Sequence, residues 1–318
     1  MKYRYLIAGI SIINDIRYAD GKEKKGRLGG CGIFAYAGIA AFTPDAILIS
    51  SGGKDFWEYY GPYFKENDIH KEGIYLDLPQ THHTLLQYES DGRWSEQSIY
   101  GADYFVLQRE NNRTSYAKLE PFLSEETRGL YLDSVGEEAI FEEIDLIRSK
   151  APSIRILWEP PTFTSKNADM REQILANLRK IDYYSMNLDE AAFFFDCTER
   201  KEVISRIMEL NIPCFLREGE NGSSWIEDGK IVSLKAYKPE EAVDVTGCGN
   251  CSAAAALYWR IEGRDAFDIV MNANIAAACN ALADGPPAIR KIREEHTCLS
   301  MREYYQKEGE DHGRKQSG

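Results

Sequence analysis

The run Asp244–Val245–Thr246–Gly247–Cys248–Gly249–Asn250 constrains this chain more than any other stretch. It follows the polar segment Lys238–Pro239–Glu240–Glu241 and leads directly into Cys251–Ser252–Ala253–Ala254–Ala255–Ala256–Leu257, an alanine-rich helical segment. Two glycines just ahead of a helix let the backbone come close to a ligand. The helix start adds free N–H groups and the positive end of a dipole. Together these make an anion site, and the natural anion is a phosphate.

Around this run, short apolar segments alternate with helical ones. Tyr5–Ile13, Ala46–Ile49, Tyr104–Leu107, Gly129–Leu132, Ile154–Trp158 and Cys214–Leu216 read as buried strands. Between them, Ile33–Phe42, Asp55–Phe64, Glu137–Ser149, Asp169–Leu178, Leu188–Phe195 and Glu199–Leu210 read as helices. The alternation predicts an α/β fold with a mostly parallel sheet covered on both faces, a Rossmann-like three-layer α/β/α arrangement. Two segments break the rhythm. Thr84–Tyr88 and Trp94–Tyr100 alternate apolar and polar residues around Ser90–Asp91–Gly92–Arg93, a hairpin pattern. Tyr18–Lys25, with Asp20–Gly21, supplies a further strand, so a small sheet is expected beside the main one. One domain over residues 1–305 is expected, with the small sheet built from segments near 14–28 and 84–100. The charged stretch 306–318 lacks apolar periodicity and reads as a flexible tail.

The net charge of −13 argues against nucleic acid or an anionic membrane as partner, but not against a phosphate site made by backbone dipoles. No stretch approaches the ~20 apolar residues that span a bilayer. The apolar run Tyr5–Ile13 is short and followed by Asn14 and Asp15, so it reads as a strand rather than a signal peptide. A cytoplasmic protein is expected. The seven cysteines are scattered and odd in number, which reads as free thiols in a reducing compartment.

Four further regions, in order along the chain, join the opening run. Asn187–Leu188–Asp189–Glu190 follows a strand-like segment and opens a helix. Leu216–Arg217–Glu218–Gly219–Glu220–Asn221–Gly222–Ser223 follows a strand and contains a glycine-rich turn. Asn274–Gly285 is a small-residue helix ending at a glycine. Gly29–Gly30 precede a small-residue helix, and Gly9 is followed by Asn14–Asp15. In this combination the chain resembles the ribokinase-like (PfkB) carbohydrate kinases. Their signature Asp-Thr-x-Gly-Ala-Gly-Asp is similar to Asp244–Asn250, and the match covers most of the sequence.

The resemblance implies a ribokinase-like fold and ATP-dependent phosphoryl transfer to a hydroxyl of a sugar, nucleoside or similar small molecule. It implies a small sheet that acts as a lid over the sugar site and mediates a homodimer. Gly247, Cys248 and Gly249 would form the anion hole, with the acceptor hydroxyl at Asn250. Asn187, Glu190, Arg217, Gly219 and Gly222 would line ATP. Glu190 would hold magnesium-bound water, since Mg²⁺ keeps several of its waters. The bland reading of Asn187 and Glu190 is a capping box, and both roles are expected together. Arg217 stands where the family has threonine and could hold a phosphate in its fork. Asp244 would belong to a monovalent-cation site. Asn14, Asp15, Gly29 and Gly30 would hold the substrate, with the register between Asn14 and Asp15 open. Phe34 stands where the family has a sugar-binding asparagine.

The family's final aspartate takes the proton of the acceptor hydroxyl. Asn250 cannot, because an amide only positions the hydroxyl. A general base contributes roughly 10²–10⁴-fold. Three readings stay open: a slow or unusual kinase, a pseudokinase-like nucleotide- and sugar-binding protein, and an introduced inactivating change. Other patterns carry less. Cys248–Gly249–Asn250–Cys251 fits C-x-x-C, where a helix start could lower the Cys248 pKa. Gly30–Ala35 loosely fits a dinucleotide fingerprint but stands too far from the first strand and lacks the acid ~20 residues on, which makes a nicotinamide oxidoreductase a distant third reading. There is no Gly-x-x-x-x-Gly-Lys-Ser/Thr loop, and His82–His83 lack partners at zinc-ligand spacing.

Overall fold

Wholly apolar runs become strands with helices on both sides. Tyr5–Ala8 (β1) and Ala46–Ser51 (β4) are buried at every residue, as a central strand of a covered parallel sheet must be. The computed structural model describes residues 2–90, 94–104, 106, 113–134, 139–160, 167–297, 302–305 and 307. The remaining strands are Ile12–Arg17 (β2), Glu23–Gly29 (β3), Ile74–Tyr75 (β5), His82–Tyr88 (β6), Trp94–Ser98 (β7), Gly129–Asp133 (β8), Arg155–Glu159 (β9), Tyr183–Asn187 (β10), Cys214–Arg217 (β11), Ser223–Glu227 (β12) and Lys230–Leu234 (β13). Among the described residues, nine of them form one sheet in the order β13-β12-β11-β10-β9-β8-β1-β4-β5. Pairing is parallel from β11 through to β5, and β12 and β13 add antiparallel strands at the far edge.

Alternate residues of each strand feed two cores. Tyr131, Leu157, Tyr183, Phe215 and Trp225 face helices Cys31–Ala40 (α1), Phe56–Glu66 (α2), Cys248–Ile261 (α7), Ala266–Ala281 (α8) and Ile289–Thr297 (α9). Leu130, Ile156, Trp158, Tyr184 and Met186 face Ile144–Lys150 (α3), Arg171–Leu178 (α4), Leu188–Phe195 (α5) and Arg200–Leu210 (α6). The result is the expected three-layer α/β/α sandwich. No helix among the described residues is long and apolar enough to cross a membrane.

A second sheet, ordered β3-β2-β6-β7, contains both expected lid segments. It is tied to the main body where Lys24 Nζ and Arg27 Nη2 reach Asp284 Oδ1 at 2.8 and 2.9 Å. Tyr60 Oη lies 2.8 Å from both the Ile12 and the Gly29 carbonyl oxygens, which fixes the base of the lid hairpin against α2.

Three sequence expectations are corrected. The apolar run Tyr5–Ile13 is two strands in two sheets: the chain leaves the main sheet after Ala8, and Ile12 begins the lid. Gly9 allows this, since a Cβ there would stand 2.8 Å from Gly32 Cα. The strand expected over Tyr18–Lys25 is mostly a turn, with the Gly21 N–H donating to Tyr18 O at 2.9 Å and Gly21 at φ 83°. In the strand expected over Tyr104–Leu107, the two described residues, Tyr104 and Val106, are helical. The hairpin turn 91–93, Leu107, Glu137, Cys298 and, apart from Lys307, the tail 306–318 lie outside the described residues.

Helices α1 and α7 both begin at the carboxyl ends of the strands and cross closely because both are built of small residues. At the crossing, a Cβ on Gly38 would stand 2.2 Å from the Cys251 carbonyl oxygen. Backbone cannot yield as a flexible side chain can, so overpacking of about 1–3 kcal/mol is the expected cost of Gly38→Ala. Urea unfolding should show a lower midpoint at unchanged slope, and an unchanged midpoint would contradict the close crossing.

Candidate active site

On the face covered by α7, the apolar rows of the parallel strands end in polar residues. Asp133 and Glu159 are register partners at the ends of β8 and β9, and Asn187 and Arg217 at the ends of β10 and β11. Ser185 lies two residues before Asn187 and so on the same face. Ligands of open α/β sheets bind at these carboxyl ends.

Arg217 joins the row. Its Nη2 lies 2.9 Å from Glu159 Oε1 and 3.4 Å from Glu190 Oε2, and its Nε donates to Ser185 Oγ at 3.0 Å. The guanidinium expected to grip a phosphate is therefore held by two carboxylates. Glu190 is itself 3% exposed. It forms the anticipated capping box: Glu190 N–H donates to Asn187 Oδ1 and Asn187 N–H to Glu190 Oε2, both at 2.8 Å.

Above this row comes the turn that opens α7. Gly247 adopts φ 75°, and a Cβ on it would stand 2.1 Å from the Phe34 ring. A Cβ on Gly249 would stand 2.0 Å from Arg217 Nη1. Both glycines are required by close approach and, at Gly247, by backbone conformation as well. Asp244 Oδ1 accepts from the Thr246 N–H at 2.9 Å, and Asn280 Nδ2 donates to Thr246 O at 2.7 Å. These bonds strap the turn to the end of α8. The Cys248 N–H points back to Val245 O at 3.2 Å. The N–H groups of Gly247, Gly249 and Asn250 have no acceptor among the described residues, as expected of the first turn of a helix.

A cavity of about 580 Å³ runs from this turn along α8. Its lining combines polar residues, among them Asn187, Arg217, Ser223, Lys238, Ser252 and Asn274, with the apolar Ala236, Tyr237, Val245, Ala277, Ala278 and Ala281 and the glycines Gly219, Gly222 and Gly249. Of the residues expected around ATP, Asn187, Arg217, Gly219 and Gly222 line the cavity, whereas Glu190 and Asp244 lie outside its lining.

The residues expected to hold the acceptor come from the small sheet and the start of α1. Asn14 is buried, and its Oδ1 accepts from Thr84 Oγ1 at 2.8 Å. Its Nδ2 lies where a Gly29 Cβ would stand, 2.3 Å away, so these two expected residues meet. Asp15 points to the opposite face, as alternation in a strand requires. There its Oδ1 takes the Gly26 N–H at 2.8 Å, with His83 Nε2 at 3.0 Å. Gly30, at φ 79°, is pressed against the Ile10 carbonyl and starts α1. Phe34 is 1% exposed and belongs to the core.

The structure adds residues that the sequence reading passed over. Asn250 Nδ2 donates to Tyr131 Oη at 3.1 Å, and the Tyr131 hydroxyl donates to Glu159 Oε2 at 2.6 Å. The Cys31 thiol donates to Asp133. The one signal for them was a polar residue closing a buried apolar strand, in Leu130–Tyr131–Leu132–Asp133 and Leu157–Trp158–Glu159.

The redox alternative for C-x-x-C is corrected. Burial pushes the Cys248 thiol up to about 11 despite a hydrogen bond from Asn280. Burial raises Cys251 well above its ordinary value as well. The thiolate forms only as pH rises through the elevated pKa, so Cys248 should resist iodoacetamide at pH 8 in the folded protein and react after unfolding. Rapid alkylation of folded Cys248 at pH 8 would contradict this.

The chain matches the pfkB family carbohydrate kinases over residues 19–289. Among solved structures it is similar to a protein described as a probable sugar kinase from Rhizobium etli CFN 42, at 18% identity and TM-score 0.76, covering 94% of this chain and 99% of that one. It is similar to the ribokinase of Cryptococcus neoformans var. grubii serotype A, solved in complex with ADP, at 18% identity and TM-score 0.71, covering 92% and 99%. It is also similar to the adenosine kinase of Sinorhizobium meliloti, at 17% identity and TM-score 0.73, covering 93% and 100%. No curated protein sequence matches the chain. The family match spans well over half of the sequence, and the chain belongs to the pfkB family of carbohydrate kinases.

Proposed function

We propose that this protein transfers the γ-phosphoryl group of ATP to a hydroxyl of a sugar or nucleoside. One observation carries the reading: a cavity of about 580 Å³ lined by Cys248 and Gly249 where α7 opens, by Asn187 and Arg217 at the strand ends, and by the alanines of α8. An adenine suits the alanine face of α8, and the phosphates suit the helix start. Phosphoryl transfer rests mainly on positioning and charge stabilisation, which these groups supply.

The N–H groups of Gly247, Gly249 and Asn250 would hold the oxygens of the transferring group. Asn187 and Glu190 would hold a magnesium ion through its waters, where it would neutralise phosphate charge. Asn187 lines the cavity while Glu190 is buried beside Arg217, so such an ion would be reached through its waters rather than by direct ligation. A monovalent cation would sit beside Asp244, outside the cavity lining. Asn14 and Gly29 would meet the acceptor from beneath the lid. Asp15, turned to the other face, would act on lid packing, and a homodimer would form through the lid. The acceptor would meet the phosphoryl group at Asn250.

Calorimetric titration with Mg–ATP should show one site. Gly249→Ala drives a methyl into Arg217 and narrows the phosphate end, so ATP affinity should fall at least about tenfold, equivalent to the 1.4 kcal/mol of one decade. No heat with the unmodified protein would contradict the proposal.

Turnover separates the kinase from a binding protein without chemistry. ADP release over a panel of sugars and nucleosides should be measurable for the unmodified protein. Asn250→Asp should raise kcat, by up to about 10²–10⁴-fold if a base is all that is missing. Turnover confined to Asn250→Asp would favour the binding-protein reading.

A further inference from the structure

An acceptor hydroxyl seated at Asn250 must lose its proton somewhere. The amide has no site for it, yet its Nδ2 rests on a phenol that is already bonded to a carboxylate: Asn250 Nδ2 to Tyr131 Oη at 3.1 Å, and Tyr131 Oη to Glu159 Oε2 at 2.6 Å. We propose that in this chain Tyr131 and Glu159 carry the acceptor's proton away, in place of a carboxylate at position 250. The proposal rests on the kinase reading above.

The step balances without any further reactant. The acceptor oxygen attacks the γ-phosphorus, and the bond from that phosphorus to the bridging oxygen breaks, its electron pair leaving with ADP. The acceptor proton passes to Tyr131 Oη as the tyrosine's own proton passes to Glu159 Oε2. The tyrosine ends as a phenol and Glu159 as a neutral acid, which returns its proton to water by the same path after product leaves.

The surroundings suit these roles. Tyr131 is fully buried, and its hydroxyl accepts from Asn250, which is partly exposed. The acceptor hydroxyl would take the place of the Asn250 amide, which bonds Tyr131 at 3.1 Å and also interacts with Glu159. Tyr131 cannot keep a vacated proton site by itself, since burial and then the neighbouring Glu159 charge hold its ionisation well above the ordinary phenol range. It must pass a proton onward. Glu159 is 5% exposed. Burial raises its affinity for a proton, while Arg217 at 2.9 Å favours the ionised form that can receive one. The charged and titratable groups that face it are Tyr131 on β8, Arg217 on β11, Glu190 on α5 and Cys31 on α1, with Asp133 as its register partner.

Asp133 is the competing acceptor. It is partly exposed, stands at the same end of β8 and takes the Cys31 thiol. Its bond leads to the start of α1, whereas Asn250 is bonded to Tyr131.

The test compares Tyr131→Phe, Glu159→Gln and Asp133→Asn, alone and combined with Asn250→Asp. kcat is measured against pH by ADP release, and ATP affinity by calorimetry. Tyr131→Phe removes only a hydroxyl and guards against loss of fold. We expect Tyr131→Phe and Glu159→Gln each to lower kcat about 10²-fold at unchanged ATP affinity, within the range of general-base effects. Both should also abolish the fall of kcat toward acid pH, which in the unmodified protein follows protonation of Glu159. With Asn250→Asp present, the same changes should cost less than about tenfold, because the new carboxylate takes over.

Unchanged kcat and pH profile in Tyr131→Phe would overturn the proposal. So would losses that persist undiminished beside Asn250→Asp, which mark a structural role. A loss confined to Asp133→Asn and rescued by Asn250→Asp would overturn it in favour of Asp133. Turnover seen only with Asn250→Asp would overturn it while leaving the nucleotide site intact. Absence of ATP binding would overturn the kinase reading and the relay together.

Discussion

A single buried guanidinium organises the end of the sheet where the site lies. Moving a cation out of water costs several kcal/mol unless partners replace the lost hydration. Arg217 finds them in Glu159, Ser185 and Glu190, at 2.9, 3.0 and 3.4 Å. Those partners come from β9, β10 and the start of α5, so one charge fixes the relative positions of three elements. It also fixes the turn above it. The Gly249 backbone can settle over Nη1 only because no side chain stands there. The phosphate turn is thus seated on a charged network at one glycine and on the Phe34 ring at the other.

The same packing accounts for one departure from the family's pattern. The resemblance assigns a sugar-reading asparagine to position 34. Here a phenylalanine fills that place, 1% exposed, and supports Gly247 from below. The departure belongs to the core rather than to ligand contact. Asn250, by contrast, faces a polar network, in which its amide bonds to Tyr131. An aspartate at position 250 would bring a second negative charge close to Glu159, and like charges confined together resist joint ionisation. With aspartate at position 250 one of the two carboxyls would hold its proton more tightly, whereas asparagine adds no second charge beside Glu159.

Much of the fold was legible because the signals were local. Buried parallel strands show as short apolar runs, as Ala46–Ile49 does for Ala46–Ser51, and Leu188–Phe195 announces its start with Asn187 and Glu190. The break after Ala8 was not legible, because the residues on both sides of it are apolar and only the sheet to which they pair differs. The strand expected over Tyr104–Leu107 failed for a related reason: a short apolar run does not distinguish a strand from a helical segment. In the site, Gly219, Gly222 and Gly247–Asn250 were visible as turns and a helix start. The Asn250–Tyr131–Glu159 chain was not, since sheet register and helix packing join residues far apart in sequence. The destination of the Arg217 fork was hidden in the same way: pairing of β11 with β10 decides that it meets carboxylates.

The most direct test of the central claim is a crystal structure with a non-hydrolysable ATP analogue. The account places the γ-phosphate against the N–H groups of Gly247, Gly249 and Asn250 at hydrogen-bond distance, with the adenine along the alanine face of α8. Phosphates bound elsewhere, or an adenine outside the cavity bounded by Gly219, Gly222 and Ala277, would contradict it.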